Sequence, residues 1–287
     1  MNPICISVAP WRLCGLVFLF SMRSLASLLL LLACATCFAQ PDYARDGNNA
    51  PDYARDGNKA PDYAREKRWA DEITPALVVG DAVYLAQKSG HRFLAIYTAV
   101  AQPRGAVIVV HGLGVHPDWA LIGALRTGLA DQGYVTLSVQ MPVLGADAKA
   151  DAYPPLFPDA ADRLHAAVAF LNAKGHRKIA IASHSIGASM ANFFLTHVPD
   201  NGIAAWISIG IVPSEFAAPD KLRLPVLDIF GERDLPQVLK NTAARAVVLK
   251  KLKGSAQIEV AGADHYFTGS ERELVKQARL FLDQRLK

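Results

Sequence analysis

Residues 178–195, KIAIASHSIGASMANFFL, set an apolar strand, a five-residue turn and a close-packed helix in direct succession. Residues 178–182 alternate and then run apolar with β-branched side chains, the pattern of a strand buried within a sheet. Ser183-His184-Ser185-Ile186-Gly187 follows, and residues 188–195 read as a tightly packed apolar helix. A strand, an S-x-S-x-G turn and a helix make the context of a nucleophile elbow, with the central Ser185 on a strained turn and its hydroxyl above the sheet edge. The helix doubles back hard against the strand, so positions 183 and 187 must be small. Glycine is usual at the first of them, and Ser183 departs from it. Small-residue strand ends also occur in doubly wound sheets without catalysis, so the motif has to be weighed with its partners.

A serine hydroxyl is a poor nucleophile at neutral pH and needs a base, which in turn needs a carboxylate to orient it. On such a sheet these partners belong at the carboxyl ends of later strands, in the chain order Ser, acid, His. An apolar strand at residues 225–230 leads into Gly231-Glu232-Arg233-Asp234, a tight turn that lifts Asp234 to the edge. A strand at residues 257–260 leads into Ala261-Gly262-Ala263-Asp264-His265, which delivers His265 to the same edge. The competing readings make Asp234 only the N-cap of a helix from Leu235, or His265 only a hydrogen-bonded loop residue. Glu232 and Asp228 are the alternative acids, but Asp228 falls inside the strand and points into a packed layer. Asp264 is a poor orienter because chain neighbours rarely face one another. His184 reads as a packing or locally hydrogen-bonded residue rather than the base.

The oxyanion of a tetrahedral intermediate needs two backbone donors. Ile186 N–H, just past Ser185 at a helix N-terminus, is one. Leu113 N–H, in the His111-Gly112-Leu113-Gly114 loop after an apolar strand at residues 105–110, is the expected other. The plainer reading of that loop is a glycine turn out of a strand. His111 is expected to brace it, and His116 and Trp119 to line the mouth.

Around these stretches, residues 76–86 and 91–100 alternate as a leading antiparallel hairpin that turns at Ser89-Gly90. Helices are expected at 120–132, 159–173, 235–253 and 271–286, and further strands at 134–141 and 203–209. Apolar strands alternating with helices define an α/β chain with a mostly parallel sheet covered on both faces.

The front end differs. Residues 1–39 hold no Asp or Glu, two arginines (Arg12 and Arg23) and an apolar run at 25–35, an order that reads as a signal peptide cleaved behind Ala39. Met22 is an alternative start. All four cysteines, Cys5, Cys14, Cys34 and Cys37, lie inside this segment, so the mature chain needs no disulfide and offers no cysteine metal site. Leu31-Leu32-Ala33-Cys34 loosely matches a lipoprotein box, and membrane contact is expected only if Cys34 is lipidated. Removing the two arginines takes the formal charge from 30 − 26 = +4 to 28 − 26 = +2, with no clustered basic face, which argues against a nucleic-acid partner. Three decads follow: PDYARDGNNA, PDYARDGNKA and PDYAREKRWA. The first two carry turn residues and read, over 40–60, as a duplicated disordered linker. The third runs into a short amphipathic segment, and one domain is expected over 61–287. The expected location is periplasmic or secreted.

HGLG, SHSIG, the Asp after GER, and GADH together make the chain resemble the α/β-hydrolases. Over residues 65–287 it resembles uncharacterised exported α/β-hydrolase-like proteins of Gram-negative bacteria. The resemblance implies an eight-stranded, mainly parallel sheet, with Ser185, Asp234 and His265 as nucleophile, acid and base. Only about fifteen residues separate the strands at 203–209 and 225–230, where larger relatives insert a cap domain. The expected function is a serine hydrolase acting on a small-molecule or acyl substrate of ester type. Thioester, amide and lactone remain open, as does the oligomeric state. The alternative is a catalytically silent periplasmic binding or scaffold protein. No phosphate cradle, metal-ligand cluster or redox motif calls for a cofactor. Tyr153, Leu156 and Phe157, in the loop 143–158, are the expected apolar wall of the site.

Overall fold

The computed structural model describes residues 60–287. The expected signal peptide, Cys34 and residues 40–59 lie outside the described residues. Helix α1 (Tyr63–Ala76) leads into β1 (Asp81–Ala86), β2 (Arg92–Thr98) and β3 (Ala106–Val110). Then come α2 (Ala120–Asp131), β4 (Val135–Val139), α3 (Phe157–Ala173), β5 (Ile179–His184), α4 (Ile186–His197) and β6 (Ile203–Ile209). The chain closes with β7 (Val226–Arg233), α5 (Pro236–Leu239), α6 (Thr242–Lys251), β8 (Ala256–Asp264) and α7 (Glu271–Arg285).

All eight strands form one sheet in the order β1-β2-β4-β3-β5-β6-β7-β8. β2 is antiparallel to both β1 and β4, and every pairing from β4 to β8 is parallel. β3, β4 and β5 are buried along their whole length; β3 reads as an unbroken apolar run, while β4 and β5 also bury Thr136, Ser138, Ser183 and His184. Successive side chains still go to opposite faces. Val107, Val109, Ala180, Ala182, Ile207 and Ile229 pack with Leu125 of α2 and Leu282 of α7. Their neighbours Ile108, Val110, Ile181 and Trp206 pack with Leu164 of α3 and Phe194 of α4. The sheet therefore has two cores, and the carboxyl ends of its parallel strands emerge between them at one edge.

Local structure departs from the sequence expectations in four places. The segment at the third decad is a full helix, α1, capped by Asp62, whose carboxylate accepts the Arg65 N–H at 2.9 Å. It runs to Ala76, so the first strand starts at Asp81 rather than at residue 76. The run 235–253 is broken at Asn241, whose backbone leaves the helical region (φ −118°) and whose N–H goes to Ser214 Oγ at 3.1 Å. Residues 231–233 continue β7, and Arg233 pairs with Asp264 of a β8 longer than expected, so Asp234 and His265 each follow directly on a strand end. Tyr153, Leu156 and Phe157 are buried in the core on the α3 and α4 side, and the Tyr153 hydroxyl accepts the Leu144 N–H. The backbone there folds inward as two 3-10 turns, so these side chains fill the core instead of walling an open site.

Candidate active site

Ser185 links β5 to α4 with φ 58° and ψ −128°, a left-handed conformation that is costly for any residue with a Cβ. The turn is held by Ser185 N–H to Ile209 O (2.9 Å) and by Ala188 N–H to Ser185 O (2.9 Å). Two neighbours explain the motif's small positions. A Cβ on Gly187 would overlap the His111 carbonyl oxygen, so α4 and the β3 loop meet backbone to backbone. Ser183 is wholly buried, and its hydroxyl accepts the Trp206 indole N–H at 2.8 Å. The side chain that replaces glycine thus satisfies a buried donor on the next strand.

The loops after β7 and β8 bring the other two residues to this serine. His265 Nδ1 lies 2.6 Å from Asp234 Oδ1, and His265 Nε2 lies 3.1 Å from Ser185 Oγ. With Nδ1 donating to the carboxylate, Nε2 is left to accept from the serine hydroxyl. Asp234 is itself oriented by two backbone donors, Leu235 N–H at 2.8 Å and Gly231 N–H at 3.2 Å. All three side chains are buried. Asp228 is engaged elsewhere, with Arg245 Nε and Gln257 Nε2 each 2.8 Å from its Oδ2. Burial raises its pKa and Arg245 opposes the rise. Glu232 accepts the Gly262 N–H at 2.7 Å and so ties the two loops together. Asp264 accepts from Tyr266 and Thr268 N–H and faces its own turn.

The expected oxyanion donors belong to two segments that adjoin Ser185. Ile186 opens α4, so its N–H is among those a helix leaves without an intrahelical acceptor. The loop that carries Leu113 passes directly over the serine, because a Cβ on Gly112 would stand 3.0 Å from Ser185 Cβ. His111 braces that loop as expected. Its Nε2 accepts the Met141 N–H at 2.9 Å, which leaves Nδ1–H to donate to Gly112 O at 3.0 Å. Leu113 and Tyr266 are exposed beside the site, and Tyr266 packs edge-on against Trp119 with ring centres 5.5 Å apart.

Three further residues shape the site through partners that the sequence alone does not show. His184 Nε2 donates to the His265 carbonyl at 2.9 Å, so it holds the His265 backbone. Gly210 has φ 51°, and a Cβ there would press on Asp234 Oδ2 and His265 Nδ1, both at 3.1 Å. A Cβ on Gly231 would overlap the Ala263 carbonyl, which lets β7 and β8 converge just before Asp234 and His265. In the sequence these are a motif histidine and two strand-end glycines, and only the tertiary fold gives them partners.

The two bracing histidines make the fold acid-sensitive. Burial lowers His111 to about 3 and His184 to about 4, the latter helped by the nearby His265. Both folded values lie below that of an unfolded histidine, about 6.5, so the unfolded chain binds more protons between them. Their stabilisation is complete above pH 6.5 and is lost as pH falls toward 4 and 3. At pH 5 each costs about 2 kcal/mol. Glu66 and Asp228, raised by burial, act in the opposite sense. The thermal midpoint should fall between pH 7.5 and 5, and His184→Gln, which takes up no proton, should fall by less. An equal fall in that variant would refute the assignment.

An eight-stranded, mostly parallel sheet with helices on both faces and residues 210–225 in place of a large cap is the α/β-hydrolase fold. A dienelactone hydrolase from Anabaena variabilis superposes with a TM-score of 0.59 at 21% identity, over 72% of this chain and 98% of its own. An esterase from Pyrococcus furiosus gives 0.59 at 15% identity, over 72% and 92%. A lidless α/β serine hydrolase from Xanthomonas campestris gives 0.55 at 18%, over 72% and 95%. At these identities the likeness is one of fold. A family described as "Protein of unknown function (DUF3530)" matches residues 24–156, a span that ends before Ser185. A comparison with curated proteins finds no match.

Proposed function

We propose that this protein is a serine hydrolase that cleaves an ester-type acyl substrate through Ser185, His265 and Asp234. The observation that carries the reading is the unbroken chain of hydrogen bonds from Ser185 Oγ to Asp234, set on a serine held at positive φ. Ser185 Oγ attacks the acyl carbon while His265 Nε2 takes its proton. Asp234 keeps the imidazole in the required tautomer and stabilises the imidazolium. The oxyanion receives the N–H groups of Leu113 and Ile186. Collapse expels the leaving group, which takes the proton from His265 and leaves an acyl-Ser185 ester. A water deprotonated by His265 then releases the acid and restores the serine. The hydrolase fold of the structural neighbours supports this class of reaction, and the exposed Leu113 and Tyr266 support an open, partly apolar mouth for a small acyl group. The acid-free leader with its apolar run supports export as the setting.

Reaction with a fluorophosphonate probe, mapped by peptide mass spectrometry, should modify Ser185, and short-chain p-nitrophenyl esters should be hydrolysed. Neither labelling nor turnover of any ester would leave a silent scaffold as the reading.

A further inference from the structure

Helix α1 precedes the hydrolase sheet, yet one of its side chains reaches the loop that passes over Ser185. Arg65 donates from Nη1 to Leu144 O at 2.8 Å and from Nη2 to Gly114 O at 3.2 Å. Its guanidinium lies 4.5 Å over the Trp69 ring, and Trp69 in turn lies 5.7 Å from the His116 ring. The helix therefore grips the loop of residues 111–119 at two points, at Gly114 and at His116. The helix itself is anchored. Glu66 forms a buried ion pair with Arg163 at 3.0 Å and accepts the Val143 N–H, while Asp62 N–H donates to Val143 O at 2.7 Å.

The loop needs such a grip. Leu113 stands between Gly112 and Gly114, the second at φ 64°, so the peptide planes on both sides of it have the widest torsional freedom available. His111 fixes the peptide plane that carries the Leu113 N–H, through the Gly112 carbonyl of that plane. Arg65 fixes the loop after Leu113, through the Gly114 carbonyl. A donor stabilises an oxyanion only if its direction is set before the charge develops.

We propose that Arg65 is a positioning residue for the oxyanion site: it clamps Gly114 and Leu144 and so keeps the Leu113 N–H, whose peptide plane His111 orients, in place beside Ser185. This rests on the hydrolase reading above and extends the machinery to a helix outside the sheet. Arg65 touches no reacting atom, so its loss leaves the serine, the base and the acid in place. Loss of a whole oxyanion donor costs roughly 10²–10³ in kcat, so loss of its placement should cost roughly 10–100-fold. KM should change by less than about threefold, because the ground-state carbonyl gains little from the donor.

The test is steady-state hydrolysis of p-nitrophenyl butyrate by wild type, Arg65→Ala and Arg65→Lys, with active sites titrated by fluorophosphonate so that kcat refers to folded enzyme. Binding of an aryl trifluoromethyl ketone, whose adduct carries the oxyanion, is measured alongside. Arg65→Ala should lose kcat and ketone affinity by similar factors with KM nearly kept. Arg65→Lys, which keeps the stem and one donor contact, should fall between the two and covers the case in which the alanine variant folds poorly. Wild-type kcat per titrated site in Arg65→Ala, or in Arg65→Lys where only that variant folds, would overturn the proposal and leave the hydrolase reading intact. A wild type without turnover or labelling would remove that reading and this one with it.

Discussion

Ser185→Ala and His265→Ala should each lower turnover of a short-chain p-nitrophenyl ester by roughly 10⁴–10⁶, because nucleophile and base act as a unit. The geometry is already drawn in, with 3.1 Å between Ser185 Oγ and His265 Nε2. Asp234→Asn should cost somewhat less, on the order of 10²–10⁴, since it misorients the base without removing it. The asparagine would also face two backbone donors with a side chain that has one acceptor oxygen instead of two. Asp228→Asn is the informative contrast. It removes charge from a carboxylate whose Oδ2 is held by Arg245 and Gln257, so it should lower thermal stability while activity per folded site stays within a few-fold. Should Asp228→Asn abolish turnover while Asp234→Asn leaves it intact, the assignment of the acid is wrong.

Gly187→Ala should produce the largest stability loss of any single methyl added near the site. The clash is with the His111 carbonyl oxygen, and Val110 Cγ1 stands 3.0 Å away on another side. No rotamer change can move a backbone oxygen, so either α4 or the β3 loop must shift. Overpacking of this kind costs about 3 kcal/mol, or roughly 6–12 °C in the midpoint of a domain this size. Turnover should drop at least about a hundredfold as well, because the loop displaced is the one that carries Leu113. Gly145→Ala is the control: it has open space around it and no positive φ, and its midpoint should not move. A wild-type midpoint in Gly187→Ala would contradict the close approach described here.

Much of this was legible from the residues because the chemistry is local to strand ends. SHSIG, the Asp after GER and GADH each sit where an apolar run stops, and a parallel sheet collects such ends on one edge. What escaped has a common physical cause, dependence on partners far away in the chain. Ser183 looked merely small, and its value lies in the Trp206 indole on the next strand. Gly210 carries no signal in the sequence, but the space it leaves is taken by Asp234 and His265. The side chains of Tyr153, Leu156 and Phe157 read as a wall because their loop is rich in proline and aromatics. Periodicity cannot tell a loop that folds into the core from one that lies over a site. Helix α1 reads as a short amphipathic segment because the decad in which it starts shares PDYAR with two copies that continue Asp-Gly-Asn.

His265 follows β8, and β8 is the last strand, laid on the outer edge of the sheet beside β7. Its partners Asp234 and Ser185 precede it by 31 and 80 residues. A chain made from its N-terminus therefore exposes the elbow serine long before a proton acceptor exists for it. On the proposed mechanism, until β8 joins the edge Ser185 would be an ordinary alcohol and Asp234 would have nothing to orient. Completion of the sheet and arming of Ser185 would then be one event.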